Sequence, residues 1–263
     1  MNDHPTVSQV VAWLDQLLDP TRRDDYGPNG LQVDATPSGL RPGQARVRTI
    51  VTGVTANLEL IEAAAAMNAD LLVVHHGLYW GGAPSTATGP LGRRLARCYH
   101  AGLSVAAYHL PLDAHLEVGN AAGLARELGL ESLEPAFPWK GLATGVIGRF
   151  PTALDPDELR ARLVAISPRA LLFDGHKAAI QTAGIVTGGA PRLASDAAAL
   201  GLDLYISGEC SEYTQATARE EGIFIAACGH HRTETFGARA LMDRLGKAFP
   251  TVSTRFVDVD NPA

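Results

Sequence analysis

The sequence predicts an α/β protein: two related α/β lobes with mixed sheets, facing each other across a metal-binding cleft. Three observations predict it. Residues 47–108 alternate apolar runs with Ala-rich segments of helical spacing, the pattern of βαβ units. A stretch beginning at Ala183 repeats that plan. Imidazole and carboxylate side chains then follow directly after apolar strand runs, and the carboxyl ends of strands are where open α/β sheets hold ligands.

Val7, Val10, Val11, Leu14, Leu17 and Leu18 recur at helical spacing, and Thr6 with Gln9 forms a capping box. That helix stops at Asp19-Pro20, a loop covers 21–30, and Asn29-Gly30 is a turn signal before Leu31-Gln32-Val33. Strand 47–54, helix 57–67 and strand 71–74 follow, then a Gly- and Pro-rich loop over 77–90. Helix is expected over 91–102, strand over 103–108 and helix over 120–128. Strand is expected over 145–150 and again, short, over 170–173. Asp155-Pro156-Asp157-Glu158 reads as a helix start, with an N-cap, a proline at the first helical position and acids in the first turn. The run TIVTGVTANLELIEAAAAMNADLLVVHHG from Thr49 resembles AGIVTGGAPRLASDAAALGLDLYISGE from Ala183. AYHLPLD then ends in His109 and Asp113, and ACGHHRTE in His230 and Glu234, each a His followed four residues on by an acid. No low-complexity linker intervenes, so lobes 1–135 and 136–263 are expected to pack as one unit.

Composition bounds the function. Apolar residues make up 46% and charged residues 19%, the balance of a globular protein with a substantial core. A net charge of −6 argues against a broadly basic nucleic-acid surface. No apolar run reaches the ~18 residues of a membrane helix, and no signal peptide is evident at the start. Cys98, Cys210 and Cys228 lack CxxC spacing, which fits core thiols in a reducing compartment and predicts a cytoplasmic protein.

Neutral imidazole and carboxylate together suit iron, manganese, zinc or nickel. His75, His76, Asp113, His230 and Glu234 offer five ligands, enough for two divalent ions with positions left open for water, the arrangement of hydrolytic metal sites. Successive strand residues face opposite ways, so both His75 and His76 can reach one cleft only if the strand has ended; Gly77 permits that turn. Asp113 is a ligand or the N-cap of a helix. His109 is a ligand, a proton shuttle, a donor that orients a ligand, or a core histidine. His231 is the alternative to His230. Glu234 is expected in the first turn of a helix running to Phe249, which favours its ionised form. Glu209 sits at the repeat position of His76 or its neighbour, either facing the cleft as a base or capping a helix at Ser211. His109 and Glu209 are the candidates for proton transfer. Thr187-Gly188-Gly189 before a helix offers backbone amides to an anion.

The motifs DDYGPNGLQV, VVHHGLYW, AYHLPLDAHLEVGN, ISGECSEYTQATAREEG and AACGHHRTE resemble those of the Nif-three-like dinuclear-metal hexameric proteins, the GTP cyclohydrolase I type 2 family, and most closely its short YbgI-type branch. The resemblance spans nearly the whole chain. It implies a two-lobed α/β fold, a toroidal homo-hexamer and two divalent ions per chain (iron, manganese or zinc) on His75, His76, Asp113, His230 and Glu234. It also implies a metal-dependent hydrolase acting on a nucleotide or related heterocycle. The alternative reading is a non-enzymatic metal-binding scaffold or metal-delivery protein.

Overall fold

The structure, a computed structural model, describes residues 4–20, 25–81 and 86–263. The start of the expected 21–30 loop and residues 82–85 of the 77–90 loop lie outside the described residues. In chain order the elements are α1 (Val7–Leu18), β1 (Gly30–Val33), β2 (Thr49–Thr55), α2 (Leu58–Ala66), β3 (Leu71–His76), α3 (Gly89–Ala101), β4 (Ser104–Ala107), α4 (Leu110–Asp113), α5 (Asn120–Leu128) and β5 (Glu131–Trp139). Then come β6 (Leu142–Leu154), α6 (Pro156–Ile166), β7 (Leu171–Phe173), β8 (Ile180–Ile185), α7 (Ala194–Ala199), β9 (Leu204–Ser207), α8 (Thr214–Glu221), β10 (Phe224–Ala227), α9 (His230–Ala248) and β11 (Ser253–Phe256).

The chain divides into two compact units, 1–112 with 237–260, and 113–236 with 261–263. This differs from the expected 1–135 and 136–263 for two physical reasons. β11 pairs in parallel with β2, which returns the chain's end to the first sheet. Ala121, Leu124 and Leu128 of α5 belong to the core that holds Leu159, Ile185 and Phe224, so α5 goes with the second.

The first unit holds a five-stranded sheet of order β1-β4-β3-β2-β11, parallel except for β1. Leu71–Val74 are buried on both faces, as an interior parallel strand requires. The capping box forms as read, with Gln9 N donating to Thr6 Oγ1 and Thr6 N to Gln9 Oε1. Asp15 on α1 accepts a 2.6 Å hydrogen bond from the buried Tyr108 hydroxyl.

The second unit holds six strands in the order β5-β6-β8-β9-β10-β7. β8, β9 and β10 run parallel, while β5, β6 and β7 make antiparallel pairs. Sequence reading missed β5, whose Pro135 and Pro138 argue against a strand; β5 is an edge strand, where a missing N–H is tolerated. β6 runs well beyond the expected 145–150, and its pairing with β8 becomes irregular between Arg149 and Leu154, around Pro151. Cys98 and Cys228 are buried, which pushes their thiols up to about 11 and about 12; Cys210 is exposed.

The internal repeat holds at the level of topology. In each unit a helix and a short strand precede three parallel strands, and the short strand lies antiparallel beside the third: β1-β4-β3-β2 corresponds to β7-β10-β9-β8. Asp70 and Asp203 carry the same local function. Asp70 Oδ2 accepts from the amides of Arg48 and Thr49, and Asp203 Oδ2 from those of Gln181 and Thr182. Each also takes a cation, Arg48 at 3.2 Å and Lys177 at 2.7 Å. The register corrects one sequence match. Tyr108 N donates to Val74 O and Cys228 N to Ser207 O, so His76 corresponds to Glu209 but His109 corresponds to Gly229. His230 lies one residue further on, because α4 and α9 both begin at the next position.

Burial raises the Asp203 carboxyl, but hydrogen bonds from Lys177 and from the Thr182 and Gln181 amides outweigh it and hold the group below the usual carboxylate range. A lowered folded-state value stabilises above the unfolded pKa and is lost as pH falls through the folded one. Asp203→Asn is expected to destabilise the protein by roughly 2 kcal/mol at neutral pH, since amide donors lose a charged acceptor. The gap to wild type should narrow as the pH falls below the carboxylate range, which denaturant titrations at several pH values would measure; a gap constant with pH would contradict the assignment.

Candidate metal centre

Each unit presents its own group of potential ligands. In the first, β3 ends on the histidine pair rather than before it: Thr55 still pairs with His76. The expected chain turn is therefore not what brings the two rings together. His75 and His76 lean on different neighbours, His75 Nδ1 donating to Tyr108 O beyond β4 at 3.1 Å and His76 Nδ1 lying 3.0 Å from Thr55 Oγ1 on β2. Their ring centroids are nevertheless 4.6 Å apart. His109, just after β4, has its ring 4.8 Å from His75 and 5.6 Å from His76. One ring nitrogen from each of the three lies within 4.8 Å of the others, close enough to share a cation.

His109 is set by a residue that sequence reading passed over. Asp25 Oδ1 lies 2.6 Å from His109 Nδ1, and the side chain of Asp25 is almost fully buried. Burial raises the Asp25 carboxyl, but the hydrogen bond and charge of His109, with help from Asn29 and the Tyr26 amide, bring it down to about 2. The ionised carboxylate accepts the Nδ1 proton, which leaves Nε2 as the basic nitrogen. Asn29 joins the arrangement: its side-chain nitrogen donates to Asp25, and its oxygen accepts from His109 N at 2.8 Å. The signal was available in DDYGPNGLQV, which the sequence marks as a loop, a turn and a family motif without singling out Asp25.

In the second unit, His230 opens α9 and Glu234 follows one turn later on the same face, beyond the first turn where it was expected. His230 Nε2 is 3.3 Å from Glu234 Oε1, and Glu234 is buried. Glu209 does not cap a helix: its Oε1 lies 2.6 Å from His230 Nδ1. That is the position of an outer carboxylate that orients a ligating imidazole. Burial lowers the pKa of His230, but Glu234 and then Glu209 outweigh it and raise it to about 9. Asp113 is buried, accepting a 2.8 Å hydrogen bond from Asn120 Nδ2. Of the TGG amides, that of Gly188 is taken up internally, donating to Thr233 Oγ1, and the next amide along, Ala190 N, donates to Ser207 Oγ.

Parallel strands that end in clustered imidazoles, with a His–Glu pair on a following helix, define an α/β protein with the donor chemistry of a transition-metal site. The sequence model of the DUF34/NIF3 (NGG1p interacting factor 3) family matches residues 5–262, and the chain belongs to that family. A Pseudomonas aeruginosa protein named GTP cyclohydrolase 1 type 2 homolog is 41% identical over 259 residues, covering 98% of each chain. A protein of the same name from Allochromatium vinosum is 40% identical, covering 98% of this chain and 97% of its own. Among solved structures, the ybgI protein of unknown function superposes with a TM-score of 0.89 at 32% identity, covering 98% of this chain and all of its own. TTHA1606 from Thermus thermophilus gives 0.82 at 32% identity, covering 98% and 99%. Among the described residues no helix is long and apolar enough to cross a membrane.

Gly188 sits at φ +67°, where a side chain is strained, and a methyl group there would collide with the Glu234 carboxylate. Gly188→Ala is expected to leave the sheet folded, as read by circular dichroism, while weakening zinc binding measured by chelator competition. Unchanged affinity would remove Glu234 from the candidate ligands.

In the metal-free protein, the raised pKa of His230 stabilises the fold fully below its ordinary value of 6.5 and is lost as pH rises through about 9. Melting temperatures of metal-stripped protein should fall across that interval, and Glu209→Gln should flatten the fall. The same substitution should weaken metal affinity by roughly 10–100-fold.

Proposed function

We propose that the chain is a dinuclear metal-dependent hydrolase acting on a nucleotide or related heterocycle. Its two ions would be held jointly by His75, His76, Asp113, His230 and Glu234. One observation carries this reading: His75, His76, His109 and His230 all engage Nδ1 within their own unit, through Tyr108 O, Thr55, Asp25 and Glu209. An imidazole whose Nδ1 is so engaged presents Nε2, the usual arrangement of a metal-binding histidine. The donor set fits iron, manganese or zinc, and such ions would supply Lewis acidity at the site. Asp113, fixed by Asn120, adds an oxygen donor. His109 holds a proton at Nδ1 against Asp25 and keeps Nε2 basic, which suits it to accept a proton from the substrate or from water. Glu209 serves by orienting His230 in place of acting as a free base.

The names of the relatives favour the same reaction class, and the family resemblance adds a homo-hexamer. The reading is tested on protein purified without chelator. Elemental analysis should give about two ions per chain, light scattering a mass six times that of the chain, and a nucleotide library a hydrolysed product. His75→Ala and Glu234→Gln should abolish turnover while the melting transition survives. Bound metal without turnover of any nucleotide would favour the scaffold or metal-delivery alternative. Turnover unaffected by both substitutions would refute the site.

A further inference from the structure

We propose that Trp80, stacked with Tyr26, forms a wall on which the flat ring of an aromatic heterocycle rests beside the first unit's histidines. This rests on the hydrolase reading above and names the residues that would hold the planar ring of its substrate. Trp80 and Tyr26 are each 40% exposed, and their rings lie nearly parallel, 5.9 Å apart at 11°. Aromatic rings offer large, flat faces on which another ring can stack. These two do not stand on an arbitrary surface. The Trp80 ring is 5.3 Å from His76 and 4.9 Å from His109, edge-on to both. Tyr26 is likewise edge-on to His109 at 5.7 Å. A ring lying on this wall therefore has its edge near nitrogen groups that could bind or transfer protons.

The two loops that carry the wall are tied to each other. Tyr26 and Trp80 come from two loops, 25–30 and 77–81, which run against each other. Gly81 N donates to Tyr26 O, and a methyl group on Gly27 would collide with Tyr79 O. Gln32 ties both loops, its side-chain nitrogen donating to Pro28 O and its oxygen accepting from Leu78 N, each at 2.7 Å. The first loop is further pinned to His109 and Leu110 through Asn29 and Asp25. So DDYGPNGLQV and the GLYW that follows the histidines acquire a joint role: they carry one aromatic surface beside the imidazoles. A stacking surface discriminates by planarity and tolerates differences in ring substituents, which is how aromatic side chains hold nucleobases.

The test uses the full chain, metal-loaded and metal-stripped, with guanosine as the planar probe and ribose 5-phosphate as the non-planar one, followed by calorimetry. Guanosine should bind and quench tryptophan fluorescence. Trp80→Ala should weaken guanosine about tenfold or more, Trp80→Phe should restore most of the affinity, and ribose 5-phosphate should respond to neither. Equal guanosine affinity in Trp80→Ala overturns the proposal. So does a change of oligomeric mass in that variant, which would make Trp80 a subunit contact, or an absence of guanosine binding to the wild type. Guanosine binding that depends on Trp80, without turnover of any nucleotide, would sink the hydrolase reading and leave the stacking wall standing. Turnover that is indifferent to Trp80 would do the reverse.

Discussion

The arrangement depends on one electrostatic contact, partly exposed and used twice. Just before each second parallel strand an aspartate reaches back and binds two successive amides at the amino end of the neighbouring strand. The backbone of the same residue continues the ladder: Asp70 N donates to Thr49 O and Asp70 O accepts from Ser104 N, while Asp203 does the same with Thr182 and Phe224. Three strands are thus levelled at their amino ends by one residue. A one-residue slip would turn every side chain to the opposite face. The parallel register set there continues to the carboxyl ends, pairing Thr55 with His76 and Val74 with Ala107, where the histidines emerge. The register of His75, His76 and His109 is in this sense set some 20 Å or less along the strands, at roughly 3.3 Å per residue.

The second constraint acts on the imidazoles themselves. A histidine has two nitrogens, and a site that needs one of them must engage the other. Here the engaged atom is Nδ1 each time, with partners of graded strength: a carbonyl for His75, a hydroxyl for His76, ionised or ionisable carboxylates for His109 and His230. The carboxylate partners do more than orient. Asp25 is driven to about 2 by its contact with His109, and His230 is raised to about 9 by its two glutamates. The two glutamates thus favour positive charge on the His230 imidazole.

The two units use a shared topology for different chemistry. Where the first carries His76 the second carries Glu209, and where the first carries His109 the second has a glycine followed by the helical His230. The first unit is consequently rich in nitrogen and flanked by aromatic rings, and the second supplies oxygen. Divergence of a repeated fold at its strand ends, with the levelling aspartates retained, is what a scaffold with grafted function would produce.

Much of this was legible in the sequence. Apolar runs and caps placed α1, β2, α2, β3 and α5 to within a residue or two, because each element's local preference agrees with its tertiary setting. The clusters VVHH, HLPLD and GHHRTE named the histidines and acids before any geometry. What sequence could not supply was whatever depends on partners distant along the chain. β5 looked broken by its prolines until its edge position explained them, and β11 was invisible until β2 provided its ladder. Asp25 and Trp80 read as loop residues because their roles exist only relative to His109, which is remote from both along the chain. Local pattern fixes which groups are available at strand ends, since periodicity and turn chemistry are properties of neighbouring residues. Which nitrogen each histidine presents, and beside which rings, is decided only when remote loops are brought within hydrogen-bonding distance.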